Sequence, residues 1–153
     1  MSDTIHPTVK ELAPDLAHDF PRSPRETVGG FVIAGRALDK CRAAIAGTLD
    51  EYHFDCPLDN VFFDFTGISG DDFKAAVASG KTDDEVAQWI QDKTKHLEKR
   101  EIIQWNNKYR GMRISEMPIE LQEFLEDYIP ENIPAGKIVR CWFDIYDIEE
   151  KRI

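Results

Sequence analysis

The sequence predicts an all-α fold, a compact single helical domain of about six helices behind an extended N-terminal arm. Three observations predict it. Apolar residues recur at helical spacing through most of the chain after residue 30. Two N-cap signatures, Ser69 with Asp72 and Thr82 with Glu85, stand just ahead of such runs. No segment that alternates like a strand has an obvious strand partner. At 153 residues, 42% hydrophobic and 31% charged, the chain has one domain's worth of sequence and enough apolar mass for a core.

Residues 1–30 hold Pro7, Pro14, Pro21, Pro24, Gly29 and Gly30 and read as the arm, with one helical turn around Val9–Leu12. Residues 31–153 form the helical domain. Its first helix places Ala34, Ala37, Leu38, Cys41, Ala44 and Ile45 on one face and stops at Gly47. Pro57 suits a first helical position, and Leu58, Val61, Phe62 and Phe65 follow it up to Gly67. Ser69 opens a helix carrying Phe73 and Val77, with Gly80 just past its end. Thr82 opens the next, with Val86, Trp89 and Ile90. Ile102, Trp105 or Asn106, and Tyr109 mark another. Leu121, Phe124, Leu125 and Tyr128 mark one opened by Pro118 and closed near Pro130. Residues 138–148 fit either period: Val139, Cys141, Phe143 and Ile145 alternate, while Trp142, Ile145, Tyr146 and Glu149 space like a helix. Helix is the expectation, for want of a strand partner. The expected core includes Leu38, Cys41, Ile45, Val61, Phe62, Phe65, Phe73, Val77, Val86 and Ile90.

The net charge of −10 argues against nonspecific nucleic-acid binding and against an anionic membrane surface, both of which need basic surface. The first twenty residues lack a basic stretch followed by an apolar run, so no signal peptide is expected, and no run is long enough to span a bilayer. Three scattered cysteines, Cys41, Cys56 and Cys141, make no disulfide framework and fit a reducing cytoplasm.

Two stretches carry candidate chemistry. Between residues 22 and 42, Arg22, Arg25, Arg36, Lys40 and Arg42 face only Glu26 and Asp39. Such a cationic island suits a small anion, since Arg forks bind carboxylate or phosphate. Gly29 and Gly30 would let backbone amides approach a ligand. The plainer alternative is that these cations pair with surrounding carboxylates. The second stretch is Glu51 to Pro57. Cys56 would sit at a helix N-cap with His53 nearby, a candidate nucleophile and its base. Asp55 and Asp59 oppose a thiolate there, and a buried structural cysteine is the alternative. No metal site is expected, because His53 and Cys56 supply only two ligands.

The chain from Pro21 to Ile68 carries Pro-Arg-Ser-Pro-Arg (Pro21–Arg25), Gly29–Gly30, Leu38-Asp39-Lys40-x-Arg42-Ala43, Ala46–Gly47, Glu51-Tyr52-His53-x-x-Cys56-Pro57-Leu58-Asp59 and Phe65-x-Gly67-Ile68. In these motifs, and in Trp142-Phe143-Asp144, it resembles DUF5069, a bacterial family of unknown function. The resemblance implies a small, mostly helical cytosolic protein and no particular reaction. Gly35 stands where a proline is expected, which leaves the helix start free to sit earlier.

Three functional expectations follow. One is a binding module for a small anionic metabolite, using Arg22, Arg25, Arg36, Asp39 and Lys40, with Tyr52 as a polar contact. The second is an interaction or scaffold protein in which the same residues only hold the arm on the helices. The third is an enzyme using Cys56 and His53. The sequence names no cofactor and no oligomeric state.

Overall fold

The computed structural model describes residues 4–153, and every helix or strand assigned among them is helical. The α-helices are α1 (Pro7–Leu12), α2 (Ala34–Ala46), α3 (Pro57–Thr66), α4 (Gly70–Ala78), α5 (Asp83–Lys93), α6 (Lys99–Arg110), α7 (Ile119–Asn132) and α8 (Trp142–Glu149). A short 3-10 turn covers Ile114–Glu116. The all-α class is as predicted, with eight α-helices among the described residues rather than about six. The chain divides into two compact units after Ile102, within α6.

The first unit is built where the sequence places its caps. Ser69 accepts a hydrogen bond from the Asp72 amide at 3.1 Å. Thr82 and Glu85 form a reciprocal capping box at the start of α5. Gly47 and Gly67 end α2 and α3 in the left-handed conformation. The core joins aromatic rings from the arm, α3, α4 and α5. Phe31 meets Phe62 edge-on with centroids 5.6 Å apart, Phe63 meets Phe73 at 5.4 Å, and Phe73 meets Trp89 at 6.1 Å. Leu38, Cys41, Phe62, Phe73, Val77, Val86 and Ile90 are buried as expected. Ile45, Val61 and Phe65 are only half-buried, because they lie at the edges of their helices' apolar faces.

The arm packs on α2. Val9 of α1 and Leu16 are buried, the Leu16 amide donates to Thr48 O at 3.0 Å, and Thr48 Oγ1 donates to Pro14 O at 2.7 Å. Val28 to Phe31 forms a tight turn in which each end donates to the other, at 3.2 and 3.3 Å. Gly29 and Gly30 both have positive φ, +65° and +91°, as a two-residue reversal of this hand requires. A Cβ on Gly29 would also lie 3.1 Å from Ala87 O. The Gly pair therefore serves the turn and its packing on α5.

The second unit, residues 103–153, has its own core of Met117, Leu125, Ile133, Ile145 and Ile148. Helix α7 closes at Asn132, two residues past Pro130 and so near it, as the sequence predicts. Pro130 sits in the last turn with its ring exposed, where one lost amide costs little, and the Ile133 amide still donates to Ile129 O at 2.9 Å. Residues 138–141 are not helical, and α8 begins only at Trp142. The Asp144 carboxylate accepts from the Arg140 and Cys141 amides, both at 2.9 Å, which fixes that start.

Candidate functional site

The Pro-Arg-Ser-Pro-Arg segment folds on itself before it meets anything else. The Ser23 amide donates to Glu26 Oε2 at 3.2 Å, the Glu26 amide to Ser23 O at 3.0 Å, and the Arg25 amide to Ser23 Oγ at 3.1 Å. The segment then joins α2 through Ile33, whose amide donates to Pro24 O at 2.8 Å. Ile33 is fully buried at φ +72°, an unfavourable conformation for a β-branched residue. The surrounding contacts hold that strain at the junction of arm and helix.

Arg22 is the arm's anchor. Its Nε donates to Asp39 Oδ2 at 3.1 Å and its Nη2 to Asp39 Oδ1 at 2.9 Å, a bidentate fork. Its backbone amide adds a third bond to Asp39 Oδ2 at 2.9 Å. Its Nη1 reaches Asp83 Oδ2, the first residue of α5, at 3.0 Å. Arg42 holds the other oxygen of Asp83 at 2.6 Å and donates to Lys81 O at 3.0 Å. Burial opposes the Asp83 charge, but Arg42 and Arg22 outweigh it and hold the carboxyl below its ordinary range. Gly35 packs beside this network, and a Cβ there would meet Arg22 Nε at 3.4 Å, an ordinary contact.

These groups line a cleft of about 450 Å³ together with Leu12, Thr82 and Asp84. The size suits a small ligand. The charge does not suit an anion. Arg22 and Arg42 face Asp39, Asp83 and Asp84, so the lining is net negative and both guanidinium groups are already engaged.

Arg36 and Lys40 lie elsewhere on α2, and the remaining candidates lie outside it. Arg36 donates to Arg22 O at 3.2 Å and its guanidinium stands 5.6 Å from the centre of the Tyr52 ring. Lys40 turns inward. Its Nζ lies 2.9 Å from Asp59 Oδ1 and donates to Cys56 Sγ at 3.1 Å. Both side chains of the ion pair are essentially buried, with 3% and 0% exposure. Asp59 Oδ2 accepts the Asp55 amide at 2.9 Å. Cys56 is the N-cap of α3, as the sequence suggests, and is half-buried. His53 is exposed, and among the described residues no hydrogen bond joins it to Cys56. Arg25 is half-buried in the arm turn.

The predicted residues thus gather at two places. Arg22 and Asp39 share the cleft, with Arg42 and Asp83 as members that sequence reasoning left out of the site. Lys40 and Cys56 share a buried node with Asp59. Among the described residues no three His, Cys, Asp or Glu side chains gather as a metal site would, and no helix is long and apolar enough to cross a membrane.

The family model for DUF5069, a domain of unknown function, matches residues 18–152. The chain belongs to this family. In this DUF5069 chain the match begins four residues before Arg22 and takes in both the cleft and the node. No curated protein matches the chain.

Proposed function

We propose that this DUF5069 protein is an interaction protein, in which the charged N-terminal motif is structural and the contact surface is the outward face of α7. The observation that carries the reading is the composition and exposure of that face. Helix α7 contains Glu120, Glu123, Glu126, Asp127 and Glu131 and no basic residue. Among the described residues none of these carboxylates has an ion-pair partner. Two large apolar side chains, Ile119 and Phe124, stand among them at 59% exposure each. Phe124 is braced by Tyr128, one turn on, with ring centroids 5.4 Å apart. Exposed apolar anchors within unpaired like charge complement a basic amphipathic segment of a partner, which would supply both apolar cover and countercharge.

The small-anion reading is less well supported, because Arg22, Lys40 and Arg42, three of the cations that suggested it, are each paired with a carboxylate. The test uses a Lys/Leu amphipathic peptide as long as α7, followed by fluorescence anisotropy. Wild type should bind it, more weakly as salt rises. Phe124→Ala should weaken binding about tenfold, the scale of one lost anchor, and Glu123→Lys with Asp127→Lys should abolish it. Equal binding by wild type and both variants, or none by wild type, would remove α7 as the contact surface.

A further inference from the structure

We infer that Cys56 is a modification site, a reactive thiol activated by Lys40 and directed at small hydroperoxides. This inference is independent of the α7 reading. It rests on a cluster of three side chains brought together by two helices. Lys40 comes from α2, and Cys56 and Asp59 come from the N-cap and first turn of α3. Each member has a definite part. Asp59 is fixed by the Asp55 amide at 2.9 Å and in turn fixes the Lys40 ammonium at 2.9 Å. That ammonium, 3% exposed, donates to Cys56 Sγ at 3.1 Å. Nucleophile, cation and orienting carboxylate therefore stand in line, the arrangement that nucleophilic chemistry needs.

The Lys40 ammonium, at hydrogen-bond distance from Sγ, is placed to stabilise negative charge on the sulfur as it attacks. The amides at the start of the ten-residue helix α3 act in the same direction. Two groups act against it. Asp59 shares the same ammonium, and the Asp55 carboxylate, held by Asn60 Nδ2 at 3.1 Å, belongs to the residue just before Cys56. Among the described residues Lys40 is the side chain that hydrogen-bonds the sulfur directly.

The other two cysteines are internal standards. Cys141 is also a half-buried helix N-cap, but the Asp144 carboxylate stands in its cap, accepting the Cys141 amide at 2.9 Å. It shares Cys56's position on a helix without a lysine ligand. Cys41 is fully buried, and burial pushes its thiol up to about 12.

Cys56 is only partly exposed, which favours a small oxidant. Its thiol first releases its proton to solvent. The Sγ lone pair then attacks the terminal oxygen of a hydroperoxide. The S–O bond forms as the O–O bond breaks, and the leaving oxygen takes a proton from Lys40, which solvent restores. Sulfur is oxidised to sulfenic acid, and the peroxide is reduced to water or an alcohol.

The test exposes the full chain to hydrogen peroxide with a cyclic 1,3-diketone sulfenate trap and reads each cysteine by mass spectrometry. In wild type, Cys56 should be labelled about tenfold faster than Cys141, because its sulfur has an ammonium donor at 3.1 Å. Cys41 should stay unlabelled and so reports that each variant is folded. Lys40→Met should slow Cys56 labelling to the Cys141 rate. Asp59→Asn should speed it, because Lys40 then has the sulfur as its nearest anionic partner. Simple loosening of the site would move both variants the same way. That outcome, or a wild-type Cys56 no faster than Cys141, would overturn the inference.

Discussion

Replacing Asp59 with alanine should remove about 3–5 kcal/mol from the folding free energy. Asp59 and Lys40 are both buried, and their charges meet at 2.9 Å. Each is tolerable inside only because of the other. Without Asp59, the Lys40 ammonium stays in the interior with the Cys56 sulfur and no carboxylate. The Asp55 amide also loses its acceptor. Against a total stability of about 5–15 kcal/mol, such a loss removes a large part of the fold's margin. The double variant Lys40→Met with Asp59→Leu should recover most of it, since a matched apolar pair escapes the desolvation cost. Urea unfolding of the three proteins checks both statements. A cost below about 1 kcal/mol for Asp59→Ala would mean that Lys40 finds water or another partner and is not trapped.

The Phe62→Ala variant should cost a comparable amount, about 3–5 kcal/mol. Phe62 is fully buried at the centre of the aromatic cluster, with its ring 5.6 Å from Phe31, 5.5 Å from Phe63 and 6.2 Å from Phe73. Those rings come from the arm turn, α3 and α4, so the vacated space cannot be closed by moving one element. Half-buried Phe65 contacts Phe31 at 6.2 Å and stands at the edge of the same cluster. Phe65→Ala should therefore cost distinctly less. Equal losses in equilibrium denaturation would contradict the placement of α3's apolar face.

What the sequence showed of this fold was mostly what local chemistry decides. Ser69 and Thr82 cap where their hydroxyls can reach an amide three residues on, and Gly47 and Gly67 stop helices where φ must turn positive. Pro130 marked the last turn of α7, which runs only two residues further before Ile133 enters the core. The start of α8 was ambiguous because its cap is a carboxylate, Asp144, reaching back to two amides.

The site was legible only in part, for a geometric reason. Arg36, Asp39 and Lys40 were expected in one binding set, but they serve different sides of α2. Asp39 and Arg42, three apart, line the cleft, while Lys40 turns inward to α3 and Arg36 meets Tyr52. The pairings of Arg22 with Asp39 and Asp83, and of Lys40 with Asp59, were not legible, because they depend on where the arm and α3 pack and carry no local spacing.

Arg22 holds the arm in place and is not kept for a ligand. The most direct test is the melting temperature of wild type and Arg22→Ala, each with and without millimolar inorganic phosphate. The account predicts no phosphate effect on wild type and a lower melting temperature for Arg22→Ala in both conditions, because the fork to Asp39 and the bond to Asp83 are lost. A wild type stabilised by phosphate, with that stabilisation absent from an Arg22→Ala protein that otherwise melts as before, would contradict it and restore the cleft as an anion site.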